Sequence, residues 1–244
     1  MHTPEEESKH RDGMRKYLSH EAETNPINLD IVEDVGAAPT RKAGAAWLNR
    51  QEVLGVLPCI GTMKGRDGRT NLKVHCRTNY KTDNLRHQII GTQVRLMYPV
   101  FECEREPRDH ACFSDMTLKN GDHVYEVEIE CGTHKRISFT SRIKRHKCDR
   151  DILFVVSPKF GDPERRLKQV MEWSVAVADR AFFTTLDRLQ KQGPHANVWD
   201  YLGRDDAPLK RVKLPVSEAV EKYAQNTAAM LEISQETDMS DDGD

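Results

Sequence analysis

The chain has 244 residues, with 37 Lys+Arg against 39 Asp+Glu, a formal net charge of -2 and 37% hydrophobic residues. That length builds one large domain or two small ones, and the longest apolar run, Ile152 to Val156, falls far short of the roughly 18 residues of a membrane-spanning helix. The opening Met1-His2-Thr3-Pro4-Glu5-Glu6-Glu7 has neither a basic start nor an apolar stretch, so we expect no secretory signal, no membrane partner and a cytoplasmic location.

The near-neutral balance conceals a polarised distribution. Acids gather at the ends (Glu5 to Glu7; Glu232, Glu236, Asp238, Asp241, Asp242, Asp244), and two basic clusters lie between them. In the first, Lys64, Arg66, Arg69, Lys73 and Arg77 are opposed only by Asp67; in the second, Lys135, Arg136, Arg142, Lys144, Arg145, Lys147 and Arg150 are opposed only by Asp149. Such clusters act locally, within a Debye length of about 8 Å, and fit either a polyanion partner or a solvated face.

Residues 1–24 read as a flexible tail running into a short helix. Asn25-Pro26 supplies a cap and a first-turn proline, after which Ile27, Ile31, Val32 and Val35 recur at helical spacing until Gly36. Pro39-Thr40 opens a second helix with Ala43, Trp47, Leu48 and Leu54 as its apolar positions and Arg41, Lys42 and Arg50 left polar. Thr62 to Thr78 reads as a hairpin whose tip is Gly65-Arg66-Asp67-Gly68. Two short helices and a basic hairpin make a winged helix-turn-helix over 25–84, with Arg41, Lys42, Arg50, Lys64, Arg66 and Arg69 as DNA contacts; a small helical subdomain with a solvent-facing hairpin is the alternative. Leu85, Ile89, Val94, Leu96 and Met97 form a linking helix in 85–110, with His87 near its start as a capping or packing residue.

From Ala111 the period becomes two. Cys112 to Leu118 and His123 to Glu130 flank Asn120-Gly121, a strong hairpin signal. Taking those two residues as the loop sets Asp115 opposite Glu126 and diagonal to Glu128, with Glu126, Glu128 and Glu130 on one face and Tyr125, Val127 and Ile129 on the other. Like charges directly opposed across a strand pair destabilise it. The cluster therefore implies full solvation, a hard cation such as Mg²⁺, or ion pairs with a neighbouring basic helix.

Thr140 to His146 reads as that basic helix. Ile152 to Val156, bounded by Asp151 and Ser157-Pro158, reads as a strand buried on both faces of a mixed or parallel sheet. Asp162-Pro163-Glu164 caps a helix whose inward face is Leu167, Val170, Met171, Ser174, Val175 and Ala178. Ala181 to Thr185 is the next strand, Leu186 to Gln192 a helix closed by Gly193-Pro194, and Val198-Trp199 leads to a domain end near Leu214. Residues 215–244 read as a helix fading into an acidic tail.

An acid on one strand, Glu-x-Glu on the next, then a basic helix and a buried strand is the layout of restriction-endonuclease-like nucleases. In their motif carboxylates hold Mg²⁺ and a lysine orients or deprotonates the attacking water. Asp115, Glu128 and Glu130 are the candidate catalytic and metal-binding acids, with Arg142 and Lys144 as candidate catalytic cations, but Glu130 stands where the motif has lysine: either Arg142 or Lys144 reaches in to supply the cation, or the site binds metal without efficient cleavage, or it is a relic. Lys135 and Arg136 are further candidate DNA contacts.

The chain also resembles the replication-relaxation proteins of plasmids and mobile elements over residues 25–214. The resemblance rests on the winged-helix start; on Leu85-Arg86-His87; on Glu128-Ile129-Glu130-Cys131-Gly132-Thr133; on the basic helix and the strand Leu153 to Val156; and on Phe183-Thr184-Thr185 followed by Gly193-Pro194-His195-Ala196-Asn197-Val198-Trp199. It implies a DNA-binding protein of a mobile element with a nuclease-like second domain.

The expected fold is therefore α/β (α+β): a winged helix-turn-helix followed, over 111–214, by a restriction-endonuclease-like mixed sheet flanked by helices. Cys131-x-x-His134 and His146-x-Cys148 offer soft ligands, yet a one-residue gap suits a structural zinc poorly, so zinc is not expected. Cys59, Cys76 and Cys103 read as reduced, partly buried residues. Three functions follow: a DNA-binding regulator acting in replication or DNA relaxation, an Mg²⁺-dependent endonuclease, or a non-catalytic adaptor whose acidic tail docks other mobile-element proteins.

Overall fold

The computed structural model describes residues 3–65, 69–78, 85–105, 114–132, 134–144, 149–203 and 209–215. The chain divides into two compact units, Met1–Gln93 and Val94–Asp244.

The first unit opens with helix α1 (Pro4–Glu21), which corrects the expectation of a tail. Thr3 and Glu6 form a reciprocal capping box, Pro4 occupies the first turn and Glu5 to Glu7 favour the positive end of the helix dipole. At the other end Leu18 and Ala22 are fully buried, so the helix is anchored as well as capped. Helix α2 (Leu29–Asp34) begins later than Asn25-Pro26 suggests. Asn28 is its N-cap, with Oδ1 accepting from the Ile31 N–H at 3.1 Å. Ile27 is drawn instead into an antiparallel bridge with His75.

Helix α3 (Arg41–Val53) is capped by Thr40 and buries Gly44 and Leu48. A Cβ on Gly44 would stand 2.9 Å from Leu29 Cδ1 and 3.1 Å from Val32 Cγ1, so glycine sets how closely α3 approaches α2. Strands β1 (Cys59–Lys64) and β2 (Asn71–His75) pair antiparallel, with Leu72 and Val74 buried, as are Ile27, Ile31, Val32 and Leu57. The proposed tip residues Arg66, Asp67 and Gly68 lie outside the described residues. Helix α4 (Leu85–Met97) follows and contains the division between the units.

The second unit is a seven-stranded mixed sheet in the order β3-β4-β5-β6-β7-β8-β9, and the protein is a mixed α+β chain. Its strands are β3 (Glu102–Arg105), β4 (Met116–Asn120), β5 (His123–Glu130), β6 (Asp151–Val156), β7 (Ala181–Thr185), β8 (Trp199–Tyr201) and β9 (Lys210–Val212). β5, β6 and β7 are parallel, and the strands outside them are antiparallel. β6 is the central strand, and its Ile152 to Val156 are all at most 1% exposed, as a continuous apolar run requires. Helix α5 (Arg136–Ile143) connects β5 to β6, and α6 (Pro163–Trp173) with a 3-10 turn (Val175–Arg180) connects β6 to β7. Phe139 and Ile143 of α5 and Leu167, Val170 and Met171 of α6 cover Ile152, Phe154, Val156 and Phe183 on one face of the sheet. Helix α7 (Leu186–Gln192) is capped by Thr185.

Several boundaries differ from the sequence reading. β3 falls in the stretch read as linker, because Glu-Cys-Glu-Arg has none of the apolar enrichment that marks a buried strand and succeeds as an edge strand beside β4. β8 and β9, of three residues each, fall in the stretch read as the end of the domain. α5 starts at Arg136 rather than Thr140, since Phe139 supplies a core contact one turn earlier. The hairpin register also shifts. The loop is Gly121-Asp122, with Gly121 at φ 60° in the left-handed region, so Asn120 pairs with His123 and Thr117, not Asp115, lies opposite Glu126. The slip is even, so the face on which each side chain lies is preserved.

Candidate functional site

Glu126, Glu128 and Glu130 sit beside Ile152, Phe154 and Val156 in the parallel pairing of β5 with β6. Partners in register share a face, so the glutamate row lies on the side of the sheet that α5 and α6 cover. The row is not a solvated face: the three residues are 0%, 3% and 2% exposed. Burying three carboxylates in a row is costly unless each finds a cation and further hydrogen bonds. Each finds an arginine, from a different element.

Glu126 Oε1 accepts from Arg150 Nη1 at 2.7 Å, and its other oxygen accepts from the Ser114 hydroxyl. Arg150 immediately precedes β6, and strand alternation puts it on the face of Ile152, the residue paired with Glu126. Glu128 is bonded by Arg142 Nη2. The same nitrogen donates to Asp115 Oδ1 at 2.8 Å, while Asp115 Oδ2 accepts from the Ile129 N–H at 2.7 Å. The carboxylates of Asp115 and Glu128 therefore converge on a single point, and a guanidinium nitrogen occupies it. Burial alone would weaken the Arg142 charge, but Glu128 and Asp115 outweigh that effect and raise its pKa further.

Glu130 closes the row. Its Oε1 accepts from Arg166 Nη2 at 2.9 Å and from the Gly132 N–H at 2.5 Å, and Oε2 meets His134 Nδ1 at 2.9 Å. Burial pushes the Glu130 carboxyl up, yet the hydrogen bonds from His134 and Arg166 prevail and hold it below the ordinary carboxylate range. Arg166 also bonds the His134 carbonyl at 2.8 Å and lies over the Trp173 ring, 4.6 Å from its centroid. Three glutamates and Asp115 thus meet three arginines, drawn from α5, from the residue before β6 and from α6.

Of the residues singled out in the sequence, Asp115, Glu128 and Arg142 come together, with Glu130 next along the row. Lys144 is exposed at the end of α5, and Lys135 and Arg136 are exposed at its start. Arg150 and Arg166 were not anticipated. Both carried a signal: Arg150 shares the parity of Ile152, and Arg166 lies four residues before Val170, on the margin of the inward stripe of α6.

The oxygen donors of Asp115 and Glu128 are of the kind Mg²⁺ prefers. Among the described residues no group of three or more His, Cys, Asp or Glu is arranged to hold a metal ion. Of the soft ligands, His134 is engaged by Glu130, and His146 and Cys148 lie outside the described residues.

In the first unit the basic residues divide in two. Arg41 is tied to Asp30 at 3.2 Å and to Glu33, Lys73 to Glu52 at 2.8 Å and Arg77 to Glu23 at 3.1 Å, while Lys64 Nζ donates to the Arg69 carbonyl at 2.9 Å. Lys42 and Arg50 are exposed on α3 and form no ion pair with a described residue. With Ala46, Asn49 and Val53 they make the outer face of that helix, opposite Gly44 and Leu48.

No helix among the described residues is long and apolar enough to cross a membrane. Comparison with family models, with curated proteins and with solved structures finds no match to this chain.

Proposed function

We propose that the chain is a DNA-binding protein of a plasmid or mobile element, with a winged helix-turn-helix in its first unit and a restriction-endonuclease-like scaffold in its second. The observation that carries this reading is the outer face of α3, where Lys42, Asn49 and Arg50 stand exposed while most neighbouring cations are engaged internally. Arg and Asn are the side chains that read base edges in the major groove, and Lys is suited to phosphate. The close α2–α3 packing at Gly44, the following hairpin and the Ile27–His75 bridge are consistent with a winged helix. The strand order β4-β5-β6, with α5 as the parallel crossover, supports the nuclease-like scaffold.

The test is duplex binding as a function of salt. Wild type should show a steep fall of affinity with ionic strength, and Lys42→Ala with Arg50→Ala should reduce the log–log slope by roughly 2, about one for each phosphate that is no longer neutralised. Salt-insensitive binding, or a double variant that binds as wild type does, would remove α3 from the interface.

One observation favours a second reading, an Mg²⁺-dependent endonuclease: Asp115 and Glu128 reach a common point. If Mg²⁺ were held by these two residues, with Glu130 beside them, it would polarise a phosphodiester and activate water. Arg142 stands on that point and would have to withdraw, so metal binding should be tighter in Arg142→Ala than in wild type and absent in Glu128→Ala. Calorimetry with Mg²⁺, followed by incubation with supercoiled plasmid, separates this reading from the first.

A further inference from the structure

We propose that the end of the sheet where β5 and β6 run out is a binding surface for single-stranded nucleic acid, with Phe160 as a base-stacking side chain. Phe160 is 82% exposed, an unusual setting for a large aromatic in a chain that buries Phe139, Phe154 and Phe183. It sits in the short connection between β6 and α6. Lys159 places its Nζ 5.2 Å from the ring centroid, so the ring is held next to a cation while most of its surface faces water.

The segment leaving β5 runs alongside this connection. The Lys159 N–H donates to the Cys131 carbonyl at 3.0 Å, the Ser157 N–H to the Glu130 carbonyl at 2.9 Å, and Arg166 reaches the His134 carbonyl. Lys135 and Arg136, exposed at the start of α5, are therefore brought to the same end of the sheet, as is the exposed Arg165 in the first turn of α6. Ile137, also 82% exposed, adds an apolar position there.

Charge complementarity selects the occupant. Residues 131–144 contain no acid. Of the two acids in 157–168, Asp162 caps α6 through the N–H groups of Glu164 and Arg165, and Glu164 is engaged by Arg188. Among the described residues of these two segments cations therefore outnumber acids, and one of the cations, Lys159, stands at the exposed ring. Duplex DNA hides its base faces in the helical stack, whereas an aromatic flanked by Lys and Arg matches unstacked bases on a phosphate backbone. This surface belongs to the second unit and does not depend on α3.

The experiment measures fluorescence anisotropy of a labelled oligothymidine, and of a duplex of the same length, with the full chain. Phe160→Ala should weaken oligothymidine binding by about tenfold or more with little change for the duplex. Phe160→Trp should retain affinity, with tryptophan quenching beyond that of wild type when the oligonucleotide binds. Lys135→Glu with Arg136→Glu should also weaken it, and Lys42→Ala with Arg50→Ala should not. Unchanged binding in Phe160→Ala, equal losses for duplex and single strand, or loss through the α3 variant would each overturn the proposal. The last outcome would leave the α3 reading intact, so the two failures are distinguishable.

Discussion

Glu128 on β5 and Arg142 on α5 form a largely buried ion pair across the crossover that joins the two parallel strands, with side chains 4% and 19% exposed. The pair ties the helix to β5, an interior strand of the sheet, and Asp115 joins it from the residue before β4. Arg142→Ala leaves two inward carboxylates without their cation, and the expected loss of stability is about 3–5 kcal/mol. Glu128→Gln combined with Arg142→Met returns the cluster to its wild-type net charge, with Asp115 still ionised and held by the Ile129 N–H, and should recover part of that loss. Urea unfolding of Glu128→Gln, Arg142→Met and the double variant checks this; additive losses would mean that the pair acts as two independent residues.

Acid should release the same region through Glu130. Its carboxyl ionises below the ordinary value of 4.5 in the folded chain, so the native state favours the charged form. The resulting stability is fully present above the unfolded pKa and is lost as pH falls through the lower folded value. Glu130→Gln should therefore flatten the pH dependence of unfolding below pH 4.5 relative to wild type, and a curve parallel to wild type would contradict the assignment.

His75 should give the first unit a separate dependence nearer neutrality. It is 1% exposed, and burial pushes its pKa below 6.5 despite the nearby Leu57 carbonyl, 3.3 Å from Nδ1. The fold prefers the neutral ring, so its contribution is present above pH 6.5 and falls away as pH drops toward the folded value. An NMR titration should find the His75 ring titrating below 6.5, and a midpoint above that value would refute the placement.

The glutamate row shows what the sequence makes legible and what it conceals. Alternation assigned Glu126, Glu128 and Glu130 to one face correctly, because the period of a strand is set by the backbone. Whether that face was wet or buried depended on Arg150 and Arg166, which are distant in sequence and read locally as surface charge. Asn120-Gly121 signalled the hairpin yet misplaced its register, since either Asn120-Gly121 or Gly121-Asp122 satisfies the turn. The apolar run of β6 and the caps at Thr40 and Asp162 could be read directly because each is a local signal. β3, β8 and β9 could not, since strands of three or four residues toward the margins of a sheet take their stability from a neighbour rather than from their own composition.

Gly132 joins the glutamate row to the basic end of the sheet, and its backbone leaves little alternative to glycine. It adopts φ +80°, and a Cβ there would stand 3.0 Å from Pro158 Cβ and 3.3 Å from Pro158 Cα. Its N–H also bonds Glu130 Oε1 at 2.5 Å. Gly132→Ala should combine left-handed strain with a clash against the proline, costing about 1–3 kcal/mol. The displacement would be felt at both neighbours, loosening the hydrogen bonds that hold Glu130 and shifting the Lys159 connection that carries Phe160. The variant should lower the unfolding midpoint and weaken oligothymidine binding together, whereas Gly161→Ala, also at positive φ (+87°) but with nothing within 4 Å of its Cβ, should carry the strain without the clash. Equal effects of the two substitutions would show that the close approach of Pro158 contributes nothing.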